Sequence, residues 1–404
     1  MASAKTAAAV SGADNLSHDK KIAFWRDERM RGLITQVAAI LILLSLFAFL
    51  IYNFLEKQSK SGGPAISFDF LENVAGFQLS FSLLPITLDS PIGLLIVSAA
   101  MSTLVAAFFA AIIATVLGLV VGVLRLSSNW LISRIAATYI EIIRNVPLLL
   151  QLVFWYTLVI TALPRHKDSF SLFDAAFLNI KGLFLPKPLL QEGIGLLLAA
   201  VVVAIIGAIG LARWARQRQM ATGQQFPIIT VNTLIIIGIP AIAYMLLHQP
   251  IGWELPEKGG FNFKGGLAVQ PEMTALIVGI GVSTAAYVAE IVRAGIMSVS
   301  HGQTEAASAL GLKSQWTLRL VVLPQALRVM IPPMISQYLN VVKNSTLAGF
   351  IGFADLFSVI STSQNQTGRA IECIIILMGF YLTVSLIIST IMNVYNKRAA
   401  LVER

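Results

Sequence analysis

An all-α polytopic membrane fold is what this 404-residue sequence predicts, on three observations. Hydrophobic residues make up 56% of the chain and charged residues only 12%. Mean hydropathy is +0.79. The apolar residues fall into runs of about 20, the length a helix needs to cross a hydrocarbon layer roughly 30 Å thick. No soluble core could bury so large an apolar share. Eight runs qualify, near 33–54, 93–124, 135–161, 193–212, 228–247, 271–289, 331–351 and 370–393, so about eight transmembrane helices are expected.

Residues 1–32 are polar and basic and read as a cytoplasmic tail, with partial helical character from Lys20 to Arg31. The first run, 33–55, is too long and its basic flank too extended for a cleaved signal peptide, and is expected to stay as an N-terminal anchor helix. Ser61-Gly62-Gly63-Pro64 then forms a turn, and the apolar-rich stretch from Phe68 to Leu84 is expected to lie along the outer interface. Two further outer segments, Pro164 to Glu192 and His248 to Gln270, are rich in Pro, Gly and aromatic residues and bracket runs four and five.

Orientation follows from Lys and Arg, which accumulate in short cytoplasmic loops. With the N-terminus inside, 18 of the 29 fall on the cytoplasmic side, 9 outside and 2 within spans. Eight spans return the C-terminus to the cytoplasm. The net charge of +9 therefore orients the chain in a membrane and offers no face for nucleic acid. The partner it implies is membrane lipid.

Chemistry within the chain is sparse. The single cysteine, Cys373, sits in the last run, and the histidines at 18, 166, 248 and 301 have no metal-ligand spacing. No Ser-His-acid set can be assembled. Gly is nowhere followed directly by Lys, so the phosphate-cradling loop of an ATPase is missing. Neither metal, cofactor nor catalysis is expected.

The most informative stretch is polar and stands between runs six and seven, on the cytoplasmic side: Glu305 to Pro324, EAASALGLKSQWTLRLVVLP. Gln303 to Leu310 supplies two helical turns, and Gly311 is placed to end them in the left-handed conformation that a Cβ penalises. Ser314 is expected to cap a second short helix through Val322, which Pro324 limits by removing a donor. Ala306, Ala307 and Ala309 keep one surface low, and Glu305 offers a charge to a partner.

Glu305-Ala306-Ala307, three residues, Gly311, nine residues, Val321, one residue, Leu323-Pro324 resembles the EAA loop of permease subunits in ATP-binding-cassette importers, with Val321 in place of Ile. Tyr139 to Leu152 and Leu323 to Leu347 are similar to segments of the polar amino-acid uptake family. They depart from it at Asn145 and Val146 before Pro147, and at Asn344, where many relatives carry Asp. The resemblance implies a type I importer permease fold: a transmembrane domain over 93–393, with a five-helix core from 93–161 and 271–393 and an inserted hairpin with its loops at 162–270. It implies amino-acid import by alternating access across a bacterial inner membrane, and a cytoplasmic coupling loop at 303–324 that fits a cleft in the ATPase. The size of the chain is most similar to the larger permease of general L-amino-acid and glutamate, glutamine, aspartate and asparagine systems. The implied partners are a cytoplasmic ATPase dimer, a second paralogous permease or a second copy of this chain, and a periplasmic amino-acid-binding protein.

Within the spans, Glu141 and Arg144 can pair on one helix face, as can Glu290 and Arg293. Both pairs are expected at an inner gate or docking surface. Lys343, Asn344, Ser345 and Thr346 read as mid-span and, with Gln337 and Asn340 on the same run, as candidates to line a substrate path. Ser283, Thr284 and Tyr287 on run six are the same, although Ser and Thr also bond helix backbones in membranes. The competing reading, a secondary transporter or channel driven by an ion gradient, calls for interrupted helices, ion-binding acids and repeated halves. The sequence has few such acids and no such halves.

Overall fold

The computed structural model describes residues 28–60, 66–248 and 250–399. Most of the expected tail and the Ser61-Gly62-Gly63-Pro64 turn lie outside them. The chain divides into two units, 1–67 and 68–404. The first contributes α1, Glu28–Lys60. It begins inside the expected tail and runs past residue 55, and its apolar segment Met30–Asn53 buries no side chain within the protein.

The second unit is built on α2, Ile92–Arg125, and its packing partner further along the chain. Between α2 and that partner come α3, Trp130–Asn145, and α4, Leu148–Ala162. The sequence reads 135–161 as one span. The structure bends it by 108°. Pro147 explains the bend: it has no N–H to give, and its ring pushes Val146 out of the helical region, to φ −94° and ψ 128°. The Gln151 side chain repairs the damage, donating to the carbonyls of Ile143 at 2.9 Å and Val146 at 2.8 Å.

The two segments rich in Pro, Gly and aromatic residues form short strands. They carry strands β1 (Phe170–Leu172), β2 (Ala176–Asn179), β3 (Gly182–Leu185) and β4 (Lys187–Leu190), then β5 (Ile251–Glu254), β6 (Glu257–Lys258), β7 (Phe263–Lys264) and β8 (Leu267–Val269). The order β1-β2-β3-β8 makes one antiparallel sheet. Phe177, Phe184 and His166 gather around the Phe263 ring at centroid distances of 4.6–4.9 Å, a small apolar centre that pays for ordering these loops. Strands β4 and β5 pair from Lys187↔Glu254 to Leu190↔Ile251, clasping the base of the inserted hairpin. The Phe68–Leu84 stretch packs partly into the helical core, with Phe70, Ala75 and Phe81 buried, while Phe68, Val74 and Leu83 stay exposed.

The hairpin comprises α5, Ile194–Thr222, and α6, Ile228–Leu246. They pack on each other, and α6 buries no residue. Then α7, Pro271–Met297, closes on α2. Every fourth residue of α2 from Ser98 to Gly122 (Ser98, Ser102, Ala106, Ala110, Ala114, Gly118, Gly122) is small and buried. Such a stripe lets helix backbones approach in a membrane. A Cβ added at Gly118 would stand 2.6 Å from the Val288 Cβ, and one at Gly122 2.7 Å from the Ala289 carbonyl oxygen.

Past α7 come α8, His301–Ala309, and α9, Ser314–Thr317, then a π turn over Leu318–Val322 and α10, Leu323–Asn344. Two expectations fail here. Lys313 occupies the cap position before α9 and Ser314 makes no capping bond. Pro324 does not end a helix but opens α10. In the wide π turn Leu323 N–H reaches back to the Leu318 carbonyl, so the chain enters α10 with a proline in its first turn, where a missing donor costs little. A 3-10 turn, Ser345–Ile351, follows, then α11, Leu356–Thr367, and α12, Ala370–Ala399. Among the described residues seven helices are long and apolar enough to cross a membrane, or eight if the bent α3–α4 pair counts as one span.

Candidate functional site

The first candidate is the projection from Ser300 to Pro324. Helix α8 stops as the sequence anticipates: Gly311 has φ +76°. Its N–H bonds the Ser308 carbonyl at 2.9 Å, and the Leu312 N–H bonds the Ala307 carbonyl at 3.1 Å. These are the two bonds of a Schellman closure. Ala307 is turned inward, so the low surface is formed by Ala306 and Ala309 alone. Glu305 is 71% exposed and takes a 3.0 Å contact from His301 Nδ1 one turn earlier. Around it Leu310, Trp316, Leu318, Leu320 and Leu323 stand exposed, Leu310 at 81%. An outward carboxylate thus stands among exposed leucines and a tryptophan. Pro324 lies at the exposed foot of the projection.

The second candidate is a cleft of about 300 Å³ where α3, α7 and α10 meet, lined by Arg144, Tyr287, Glu290, Pro333 and Gln337 among others. The two expected ion pairs behave differently. Glu290 and Arg293 pair, Oε1 to Nη2 at 2.5 Å, with Arg293 Nε also donating to both carboxylate oxygens at 3.1–3.2 Å. Glu141 and Arg144 do not. The Arg144 guanidinium instead lies 5.4 Å from the centroid of the Tyr287 ring on α7, a cation–π contact between helices. Glu141, Arg144, Asn145 and Tyr287 line an adjoining cleft of about 290 Å³. Tyr139, one turn before, donates to the Val282 carbonyl at 2.7 Å, so the α3 face is fastened to α7 twice.

The expected substrate-path residues are not brought together. Tyr287 and Gln337 line the first cleft. Ser283 and Thr284 are buried in the α7 packing face. Asn340 and Lys343 are exposed, and Asn344 is half-buried beside them. Lys343 to Thr346 fall where the helix type changes: Asn344 ends α10 and Ser345 begins the 3-10 turn. Ser345 is fully buried and spends its hydroxyl on the Val342 carbonyl at 2.7 Å, and Thr346 spends its own on Lys343 at 2.9 Å.

Sequence reasoning missed Asp355, fully buried at the cap of α11. Its Oδ1 accepts from the Ser358 N–H at 2.9 Å and hydroxyl at 2.6 Å, while Oδ2 has no partner. Burial pushes the carboxyl above its usual range, against the lowering pull of the Ser358 bonds. An Asp three residues before Ser358 at the head of an amphipathic segment was a legible cap signal. Among the described residues no group of three His, Cys, Asp or Glu could hold a metal ion.

Residues 225–401 match the family described as "Binding-protein-dependent transport system inner membrane component". The chain is 42% identical to the putative amino-acid ABC transporter permease protein YhdX of Escherichia coli, over 93% of its own length and 95% of that protein. It is 40% identical to the general L-amino acid transport system permease protein AapQ of Rhizobium johnstonii, covering 94% of each. To the glutamate/glutamine/aspartate/asparagine transport system permease protein BztB of Rhodobacter capsulatus it is 36% identical, over 94% of this chain and 96% of that one. With relatives matched end to end and a helical, multi-span fold carrying the glycine-hinged projection, this chain belongs to the inner-membrane permeases of binding-protein-dependent ABC transporters, the non-catalytic subunits that leave ATP hydrolysis to a separate ATPase.

Proposed function

We propose that this chain is a permease subunit of an importer that carries L-amino acids across the inner membrane by alternating access, driven by a separate ATPase dimer through residues 303–324. The names of the three full-length relatives support the substrate class. The observation that carries the coupling role is the α8–Gly311–α9 bend, with Glu305 and a bare apolar rim facing outward. Both termini lie in the cytoplasm under this reading, a periplasmic binding protein delivers the amino acid, and a second permease, paralogous or identical, completes the pore.

The Arg144–Tyr287–Glu290 contacts are the inner gate in this scheme, because they tie α3 to α7 at one edge of a cleft that α10 closes from the other. Moving a two-state gate from mostly closed to mostly open takes a differential affinity of roughly 5.5 kcal/mol. Nucleotide-driven closure of the ATPase on the projection supplies it. Residues 162–270 stand outside the five-helix core and outside the pore, and α1 is an anchor.

Proteoliposomes holding this chain, its partner permease and ATPase, and added binding protein test the proposal. Uptake of a labelled amino-acid mixture is expected only with ATP on the ATPase side, and replacing Glu305 with Lys is expected to cut it while the complex stays assembled. Uptake that persists on an ion gradient without ATP would instead support the secondary-transporter reading.

A further inference from the structure

We propose that the tip of the α5–α6 hairpin is a binding site for the phosphodiester headgroup of an anionic phospholipid. Helix α5 has 29 residues and α6 only 19. At 1.5 Å per residue, α6 is about as long as a hydrocarbon layer is thick, whereas α5 exceeds it by roughly ten residues. The excess falls at one end, because the opposite ends are clasped by β4 and β5. It begins at Arg213.

That overhang carries Arg213, Arg216 and Arg218, all exposed. Between Gly193 and Trp253 the sequence contains no Asp or Glu. None of the three arginines makes an ion pair among the described residues, and the one polar side-chain contact is neutral, Arg218 Nη2 to Gln224 Oε1 at 3.2 Å. The site has a floor as well as a charge. Trp214 is 46% exposed, its ring centroid 5.3 Å from the Arg218 guanidinium and 5.6 Å from the Phe226 ring centroid, with the two rings nearly perpendicular. Gln224 and Phe226 belong to the turn after Gly223, whose φ of +72° folds the chain back onto the overhang.

An aromatic shelf at headgroup depth beside guanidiniums that have no carboxylate partner fits a lipid phosphate: the ring takes the glycerol region, and the forked donors take the phosphate oxygens. The surroundings fit too, since α6 buries nothing and the hairpin packs on itself. Orientation alone would require the charges and leave unexplained the tryptophan shelf and the turn pinned to it. Because α6 and α7 each cross once between the tip and residues 303–324, the tip and the coupling loop emerge on the same side of the membrane. In the orientation proposed above, that is the leaflet facing the cytoplasm.

The test uses the full-length chain in its assembled complex, in nanodiscs of mixed phosphatidylcholine and phosphatidylglycerol, with a trace of either lipid spin-labelled. The electron-spin spectrum reads the motionally restricted fraction. The wild type is expected to restrict phosphatidylglycerol at least about threefold in excess of phosphatidylcholine at low salt. The R213Q/R216Q/R218Q variant should lose most of that excess, and the triple lysine variant should keep the larger part of it. Arg216→Gln alone, a mild change on an exposed side chain, should lower it measurably if the triple variant fails to assemble. No excess in the wild type, or an excess unchanged by the glutamine substitutions, overturns the proposal. The readout is independent of transport, so it can fail while the importer reading stands.

Discussion

Gly311 is where a single Cβ tests the coupling projection most directly. An added Cβ meets nothing within 4 Å, so replacing this glycine costs no steric clash and the whole penalty is backbone. At φ +76° a residue with a Cβ loses about 1–2 kcal/mol relative to right-handed conformations, and Asn, which tolerates this region, loses less. If the bend relaxes, the bonds from Gly311 to Ser308 and from Leu312 to Ala307 are forfeited, each worth about 1 kcal/mol. The docking-competent bend should therefore fall in population by roughly 5–30-fold in Gly311→Ala. The assay is binding-protein-stimulated ATPase activity and uptake in the reconstituted complex, across Gly, Asn, Ala and Val at this position. Stimulation is expected to fall in that order, with Val lowest because a β-branched residue is a genuine outlier at positive φ. Complex yield should stay level, since no packing is disturbed. Equal stimulation across the series, or Asn no better than Val, would refute the reasoning.

Three further outcomes follow from the geometry. Gly118→Ala places its Cβ 2.6 Å from Val288 and 2.9 Å from the Ala285 carbonyl oxygen, so it should destabilise the α2–α7 crossing by about 1–3 kcal/mol, whereas Gly207→Ala, with nothing within 4 Å, should be neutral or mildly stabilising; thermal unfolding in detergent separates them. Asp355→Asn keeps the capping acceptor for Ser358 and removes the buried charge. Because burial raises the folded carboxyl above its unfolded value, ionisation opposes folding as pH rises past the ordinary carboxylate range. The Asn variant should thus unfold at a higher temperature than wild type at alkaline pH, with the gap closing on acidification, and Asp355→Ala should lose about 1 kcal/mol of cap. Replacing residues 192–249 with Asn-Gly joins Gln191 to Pro250, whose backbones already bond at 2.9 Å, in a two-residue hairpin turn. Uptake should survive, and its loss in an inserted, assembled protein would place the hairpin in the pathway.

What was legible in the sequence was what depends on local chain chemistry. Hydropathy found the membrane helices because composition alone decides which segments leave water. The bend at Gly311 was legible because only one residue type adopts that φ without strain. The 108° break between α3 and α4 had a signal, Pro147, but the apolar run continues across it and hydropathy is blind to direction. The Glu141–Arg144 pair failed for a different reason. Spacing on one helix allows the contact, yet Tyr287 from another helix competes for the guanidinium, and no local rule sees that competitor. The outer strands are two to four residues long, and such pieces become strands only when a partner such as β8 or β5 is supplied from far along the chain. The stripe of small residues at every fourth position of α2 is also written in the sequence, and it is what lets α2 and α7 approach so closely. Apolar content alone does not reveal it, because side-chain size and not hydropathy sets how near two helix backbones can come.

The packing around the projection decides how a push on it would be felt. Helices α7 and α10, which enter and leave the projection, approach closely at Gly295, where an added Cβ would stand 2.3 Å from Met330 Cγ and 3.3 Å from the Ala326 carbonyl oxygen, and Gln325 reaches Gln303 at 3.4 Å. Farther in, α7 cannot slide along α2, since the glycine and alanine stripe holds the two backbones at contact and any slide drives Val288 or Val292 into it. Thr115 and Tyr338, hydroxyl to hydroxyl at 2.8 Å, tie α10 to the same pair. The α3 side packs through Ala136 and Ile140 against Val121 and Ala289, adds one tyrosine hydroxyl bond and one cation–π contact to α7, and is parted from α4 by a proline. In the scheme proposed above the close-packed α2 face of α7 would transmit and the cleft face would yield, and the two lie on opposite faces of the same helix.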